Sequence, residues 1–319
     1  WIIPKEFGNK QRWANKRKNG LHPSCLSLFC ISPDLWYGGC MQKITMSNGV
    51  QIPQIGFGTW QIPSGIVTRD SVRLALEAGY RHIDTAAAYF NEQSVGEGIA
   101  ESGIARGEIF LTTKLHNEDH GYDLTRAGFE KSLKALGVDY IDLYLIHWPN
   151  PIAHRHHWQE ANAGSWRAIE EFYRAGVVKS IGVSNFAERH LEELMKSAEI
   201  APMVNQIRLF AGERQEALVS SCRKRGMVLE AYSPLGTGNL LKNETIAAVA
   251  AAHGKSAAQI SLRYLVQKGF VVLPKSIREE TIRENLAIFD FSLTGEEMHL
   301  LDGMENSVGE TRNPDEAPF

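Results

Sequence analysis

Two short apolar runs, Ile109-Phe-Leu-Thr-Thr-Lys114 and Tyr140-Ile-Asp-Leu-Tyr-Leu-Ile-His147, enclose a segment with helical periodicity over residues 123–136 that ends at Gly137. Each run has the length and apolar content of a buried β-strand. Two strands joined by a helix pair in parallel, because a parallel pair needs a long crossover connection. Residues 109–147 therefore predict a strand–helix–strand unit of a parallel sheet.

The same alternation continues on both sides of this unit. A turn at Asn48-Gly49 predicts a short N-terminal hairpin before it begins. Strands are predicted over 55–58, 82–85, 110–115, 141–147, 180–184, 203–207, 228–232 and 271–273. Helices are predicted over 68–79 with Thr68 as its cap, then over 92–102, 123–136, 165–175, 188–196, 214–225, 244–253, 257–267 and 281–289. Eight strand–helix units in about 250 residues indicate an α/β fold, a single-domain (β/α)8 TIM barrel with accessory helices.

An open, doubly wound sheet is the alternative to a barrel. Such a sheet usually carries a glycine-rich fingerprint directly after its first strand. Here Gly56-Phe-Gly58 has no third glycine and opens no helix. We therefore interpret these two glycines as a feature of the barrel bottom or of a loop.

Composition limits the possible functions. The chain has 319 residues, of which 43% are hydrophobic and 22% charged, and its formal net charge of −3 gives no reason to expect nucleic-acid binding. No apolar run reaches the roughly 18 residues of a membrane span. Few cysteines and the enzyme-like composition suggest a cytoplasmic protein, which we expect to be a monomer.

The first forty residues differ in character from the rest. Residues 1–40 are basic and contain three tryptophans and three of the four cysteines, without helical or alternating periodicity. We interpret them as a non-domain leader, either upstream sequence joined by a gene-prediction error or a flexible targeting arm. The barrel domain is then expected over residues 41–319.

Four polar residues stand at or just after predicted strands: Asp84, Tyr89, Lys114 and His147. The carboxyl ends of barrel strands meet at one face, where barrel enzymes have their active sites. A phenol has a reference pKa of about 10, and a neighbouring ammonium group is the simplest way to lower it. Each residue alone could be structural, the acid and lysine as an ion pair and the histidine as a core residue. Together they predict a proton-donating site.

The motifs around these residues resemble the aldo-keto reductase family, in particular its short-tailed bacterial members such as the diketogluconate reductases. The resemblance covers residues 41–319 and none of 1–40, and is carried by the motifs at 79–86, 145–149, 181–186, 205–206, 232–236 and 274–276. It implies reduction of aldehydes or ketones with Tyr89 as the general acid. Lys114, held by Asp84, would lower the Tyr89 pKa, and His147 would orient the carbonyl.

The resemblance also implies an NADP(H) site. The matching positions are Ser184, Asn185 and Gln206 for the nicotinamide amide, Tyr232 for stacking on the nicotinamide, Ser233, Leu235 and Gly236 for the pyrophosphate, Lys275, Ser276 and Arg278 for the 2′-phosphate, and Glu284 and Asn285 for the adenine. Many relatives have a second arginine where this chain has Thr281. A hydroxyl cannot replace a guanidinium, so we expect weaker discrimination against NAD.

The pocket for the substrate is less clearly indicated. Four residues that follow strands or members of the tetrad (Asp84, Tyr89, Lys114 and His147) are expected to line it: Trp60, Phe90, His116 and Trp148. Core packing is the alternative for each. The polar loop 116–123, the short segment 236–241 and the short tail after Met304 favour small polar carbonyl compounds such as keto-sugars, dicarbonyls and aldehydes.

Two other functional classes compete with a reductase. One is a metal-dependent barrel hydrolase that uses His154, His156 and His157, but their spacing does not fit a helical metal site, and we expect a solvated loop and no metal. The other is a binding or sensing protein, which would have no need of the complete tetrad.

Overall fold

The computed structural model describes residues 42–306, 308–309 and 311–318, so the predicted leader at residues 1–40 lies outside the described residues. An antiparallel hairpin precedes eight parallel strands that follow one another in chain order around the sheet. The hairpin strands are β1 (Lys43–Thr45) and β2 (Gln51–Pro53). The parallel strands are β3 (Phe57–Gly58), β4 (His82–Asp84), β5 (Phe110–Leu115), β6 (Ile141–Ile146), β7 (Val178–Ser184), β8 (Val204–Arg208), β9 (Val228–Tyr232) and β10 (Val271–Leu273).

The last strand returns to the first and closes the barrel. The amide of Gly56 donates a 2.9 Å hydrogen bond to the carbonyl of Val272, and the amide of Gly58 donates one of 2.9 Å to Pro274. A Cβ atom at Gly56 would lie 2.6 Å from Nδ1 of His82, so only glycine fits there. The predicted (β/α)8 barrel is confirmed. Gly56 and Gly58 are part of the seam that closes it, not of a loop.

Helices cover the outside of the barrel. They are α1 (Ile66–Ala78), α2 (Glu92–Glu101), α3 (Tyr122–Leu136), α4 (Trp158–Arg174), α5 (Glu188–Leu194), α6 (Glu216–Lys224), α7 (Glu244–His253), α8 (Ala257–Gln267), α9 (Glu279–Leu286) and α10 (Gly295–Asp302). Within the described part of the chain, no helix is long and apolar enough to cross a membrane.

Two local predictions were wrong, and one helix was missed. Thr68 does not cap α1: Gly65 precedes the helix, and the Thr68 hydroxyl donates to the carbonyl of Pro63 at 2.7 Å. Helix α4 begins at Trp158, earlier than the predicted 165, because a 3₁₀ turn over Ile152–His157 leads directly into it. Helix α10 was not predicted, although Thr294 and Glu297 form its capping box.

Strand alternation separates an apolar outer layer from a polar interior. On β5, Thr113 points outward and donates to Glu92 of α2, while Lys114 points inward to Asp84 of β4. Gln206 of β8 and Glu230 of β9 face the same interior. The barrel therefore encloses charged groups directly beneath its carboxyl-terminal mouth.

The crossing of α2 and α3 gives a stability prediction. A Cβ atom at Gly96 of α2 would lie 2.2 Å from the carbonyl oxygen of Leu136. Because backbone cannot move aside easily, Gly96→Ala should lower the free energy of unfolding by about 1–3 kcal/mol. Gly107→Ala is the control, since a Cβ there would have no atom within 4 Å. Urea unfolding measures both, and equal effects of the two substitutions would contradict the packing argument.

Candidate active site

The centre of the site is a buried ion pair. Nζ of Lys114 donates to both carboxylate oxygens of Asp84, at 2.7 and 2.9 Å, and to the carbonyl of Thr85 at 2.9 Å. The lysine is completely buried, and Asp84 is 4% exposed. These contacts satisfy the ammonium group and fix it at the end of the barrel interior.

Tyr89 and His147 lie between this ion pair and the mouth. Tyr89 ends a 3₁₀ turn after β4, and its hydroxyl is 3.4 Å from Nζ of Lys114. The imidazole of His147, directly after β6, packs edge-on against the Tyr89 ring with 5.6 Å between centroids. The structure thus brings together the four residues that the sequence singled out: Asp84, Tyr89, Lys114 and His147.

Burial determines the ionisation of both mouth residues. Burial raises the pKa of Tyr89 above its ordinary value, and the charge of Lys114 opposes this shift without reversing it. The lysine acts on the Tyr89 pKa in the expected, lowering direction, but desolvation outweighs the cation and the net pKa is raised. Burial and the Lys114 charge both hold the pKa of His147 well below its ordinary value. At neutral pH the site has a protonated phenol beside a neutral imidazole.

A cavity of about 1060 Å³ opens from these residues across the mouth. Most residues predicted to bind cofactor or substrate line it: Ser184, Asn185, Gln206, Tyr232, Ser233, Leu235, Lys275, Ser276, Arg278, Asn285, Trp60, Phe90, His116 and Trp148, together with Asp84, Tyr89 and His147. Lys114 lies behind this wall, and Gly236 and Glu284 are not among the lining residues. Trp60 is 46% and Phe90 77% exposed, so neither is a core residue.

Hydrogen bonds fix the wall opposite Tyr89. The Tyr232 hydroxyl donates to Oδ1 of Asn185 at 2.8 Å, and Nδ2 of Asn185 donates to the carbonyl of His147 at 2.9 Å. Ser184 donates to the carbonyl of Gln206 at 2.9 Å. Gln206 itself donates through Nε2 to Asp84 and Glu230, at 2.9 and 2.8 Å. These residues form a rigid surface next to the tetrad.

The far end of the cavity is cationic. Lys275 and Arg278 are exposed, and across the described residues neither forms an ion pair. The backbone amide of Arg278 donates to Oγ of Ser276 at 3.1 Å, which shapes the turn before α9. Oδ1 of Asn285 is buried without a hydrogen-bond partner within the described part of the chain. Unpaired cations and a free acceptor suit a ligand that carries a phosphate and an amino group.

Several features of the site were not predicted. Glu230 and His82 lie in the barrel interior; Glu230 is visible in the sequence as a polar residue inside an apolar strand, whereas His82 begins the short strand that also contains Asp84. Arg208 and Arg312 line the cavity. His154, His156 and His157 lie in the 3₁₀ turn before α4 and not in a loop, and residues 42–306, 308–309 and 311–318 contain no group of three or more His, Cys, Asp or Glu side chains that could hold a metal ion.

Comparison with known proteins agrees with this geometry. The sequence pattern of the aldo/keto reductase family matches residues 54–306. The chain belongs to the aldo/keto reductase family. It is 47% identical over 276 residues to the glyoxal reductase of Bacillus subtilis, covering 86% of this chain and 97% of that protein. It is 41% identical over 278 residues to the morphine 6-dehydrogenase of Pseudomonas putida, covering 83% of this chain and 92% of the relative.

Solved structures of the family share the fold. The aldo-keto reductase of Bombyx mori in complex with NADP superimposes with a TM-score of 0.75 at 37% identity, covering 82% of this chain and 92% of that one. The resemblance inferred from the motifs is therefore confirmed. This member of the aldo/keto reductase family is a nicotinamide-dependent oxidoreductase.

The buried ion pair predicts an asymmetric loss of stability. Among the described residues, Lys114→Met leaves the Asp84 carboxylate with the Gln206 amide as its one hydrogen-bond partner, so it should cost about 3–5 kcal/mol of unfolding free energy. Adding Asp84→Asn removes that uncompensated charge and should recover most of the loss. Urea unfolding at neutral pH compares the single and double variants. A double variant as unstable as Lys114→Met would show that packing, not charge, sets the cost.

Proposed function

We propose that this protein reduces aldehydes or ketones to alcohols with NADPH, and that Tyr89 is the general acid. The observation that carries the proposal is the position of the Tyr89 hydroxyl, 3.4 Å from the buried Lys114 ammonium and at the wall of the cavity. The raised pKa of Tyr89 keeps the phenol protonated at neutral pH, as a proton donor must be.

Each side chain of the tetrad has a separate role in the proposed reaction. When bound, the cofactor supplies the hydride. Tyr89 donates its proton to the carbonyl oxygen, and the adjacent Lys114 charge stabilises the phenolate that remains. His147 is neutral and donates a hydrogen bond that orients the same oxygen; its Nδ1 atom has no partner within the described residues. Asp84 holds the lysine in place.

The cavity wall fits a nicotinamide dinucleotide with a 2′-phosphate. Tyr232 offers a ring, and its hydroxyl is already held by Asn185. Lys275 and Arg278, which form no ion pair within the described residues, supply cations for the phosphate, and Oδ1 of Asn285, without a hydrogen-bond partner there, accepts from an adenine amine. Ser184 and Gln206 would hold the carboxamide. The pyrophosphate and the ribose end would be held by Ser233, Leu235, Gly236 and Ser276. Glu284 would lie next to the adenine.

Small polar carbonyl compounds fit the substrate end best. Trp60 and Phe90 project from the rim, and His116 and Trp148 line the same cavity. Glu118 and Asn117 add polar groups to this rim, which favours substrates with hydroxyl or second carbonyl groups. The similarity to a glyoxal reductase supports dicarbonyls as the first compounds to test.

Replacing the proposed acid should abolish most of the rate. Tyr89→Phe removes only the hydroxyl and should lower kcat for an aldehyde by about 10²–10⁴-fold. The Kd for NADPH should remain within about twofold, because the cofactor is held by other residues. Tyr122→Phe is the control: it also removes a tyrosine hydroxyl, which bonds Glu171 on the outer surface at 2.8 Å. If Tyr89→Phe reduced the aldehyde at nearly the full rate, another group would be the proton donor, and His147 would be the first candidate.

The cofactor assignment predicts a selective loss. Arg278→Ala should weaken NADPH by about 10- to 150-fold and leave NADH unchanged, since NADH has no 2′-phosphate. Thr281→Arg should tighten NADPH by adding a second cation. Arg283→Ala on the same helix is the control, because Arg283 pairs with Glu279 at 2.9 Å. Fluorescence quenching gives both Kd values, and equal losses for NADH and NADPH in Arg278→Ala would contradict the 2′-phosphate assignment.

A further inference from the structure

Glu230 is a fully buried carboxyl group that the proposed reaction does not use. It lies on β9 with its side chain 0% exposed. Its Oε2 accepts a 2.8 Å hydrogen bond from Nε2 of Gln206, and the same Nε2 donates to Oδ2 of Asp84 at 2.9 Å. One amide group therefore joins Glu230 to the carboxylate that holds Lys114.

The interior beneath the mouth has more carboxyl groups than cations. Asp84 receives both short bonds from Lys114, whereas Glu230 receives none. Oε1 of Glu230 has no hydrogen-bond partner in the described part of the chain, and Nε2 of His82 lies 3.7 Å from it. Among the described residues, a carboxylate in this position would be a buried charge without a lysine or arginine in direct contact, so the neutral acid is the stable form.

Among the groups that face Glu230, the charge of Lys114 and the hydrogen bond from Gln206 favour the carboxylate, but burial and the charge of Asp84 outweigh them. Asp84 and His82 come from β4 and Lys114 from β5, while β8 provides the neutral amide of Gln206 and the residues of β10 do not titrate. Burial, and next the negative charge of Asp84, raise the pKa of Glu230 to about 8. Burial lowers the pKa of His82 to about 3, so His82 adds no charge at neutral pH.

We propose that Glu230 is a positioning residue for carbonyl reduction: as a neutral acid it fixes Gln206 and, through that amide, the Asp84 carboxylate that directs Lys114 toward Tyr89. The inference rests on the proposed role of Tyr89. When Glu230 loses its proton, a second negative charge joins Asp84 and compensates more of the Lys114 charge. Tyr89 then becomes a weaker acid, and proton donation slows.

The substitution Glu230→Gln tests the ionisation. Glutamine keeps the size and an oxygen that accepts from Gln206, but it cannot ionise. In the unmodified protein, kcat/KM for the carbonyl should fall about three- to tenfold as Glu230 ionises on the alkaline side of neutral pH, ahead of the final loss when Tyr89 ionises. Glu230→Gln should lack that first fall. A variant profile with the same first fall would overturn the proposal.

Glu92→Gln is the matched control. Glu92 is also a buried acid whose pKa is raised by burial, but its oxygens accept from Thr113 and Ser132 on the outer face of the barrel, at 2.6 and 3.1 Å. Within the described residues it has no hydrogen bond to Asp84 or Gln206. The first alkaline fall should therefore persist in Glu92→Gln. If Glu92→Gln also lacked the first alkaline fall, any buried acid in this barrel would produce that fall, and it would not be specific to Glu230.

A titration without turnover separates this inference from the proposed function. The ultraviolet absorbance of the Tyr89 phenolate is obtained as the difference between each protein and its Tyr89→Phe derivative. At the alkaline pH where Tyr89 ionises, Glu230 is already a carboxylate, and Glu230→Gln removes this buried negative charge. Tyr89 should therefore ionise at a lower pH in the Glu230→Gln background than with glutamate present. An unchanged titration would refute the positioning role even if carbonyl reduction is intact. A shifted titration without carbonyl reduction would instead leave the coupling standing and the proposed function wrong.

Discussion

The site depends on one interaction, the ion pair between Lys114 and Asp84 in the barrel interior. Two opposite charges removed from water are stable only if their geometry is close and their other hydrogen-bonding atoms are satisfied. The closed barrel meets that condition because adjacent strands β4 and β5 place the two side chains in bonding contact, and Thr85 and Gln206 satisfy the remaining hydrogen-bonding atoms. The Tyr89 hydroxyl is the group at the cavity wall that this buried cation touches.

Periodicity and polar residues at strand ends were the features of the sequence that predicted the structure best. Alternating strands and helices indicated the barrel, and the tetrad stood out because its members lie at or just after apolar runs. The polar interior was harder to see, since Glu230 lies within an otherwise apolar strand that looks like ordinary core, and His82 begins a strand of only three residues. The pKa of Tyr89 could not be predicted at all, because the balance between desolvation and the lysine charge depends on burial, which only the fold determines.

Backbone strain is concentrated at the same mouth. Of the six described non-glycine residues with positive φ, five line the cavity: Gln61, Phe90, Asn185, Ser233 and Thr237. Such conformations cost about 1–3 kcal/mol each and persist only where neighbouring structure enforces them. Asn185, at φ 61°, is held by bonds to His147, Ser184 and Tyr232. The barrel thus provides a frame that holds strained loop residues in the wall of the cavity.

Burial and charge keep the proposed proton donor, Tyr89, in its protonated form at neutral pH. Burial outweighs the charge of Lys114 at Tyr89, and burial together with the charge of Asp84 outweighs it at Glu230. Both therefore keep their protons, and His147 stays neutral because burial disfavours its charged form and Lys114 repels a second positive charge. Such a site can act as a proton donor, because it has a protonated phenol next to a neutral imidazole and a single shared cation. In the proposed mechanism the reverse reaction needs the Tyr89 phenolate as a base, and the burial that keeps Tyr89 protonated makes the phenolate rarer until the pH rises.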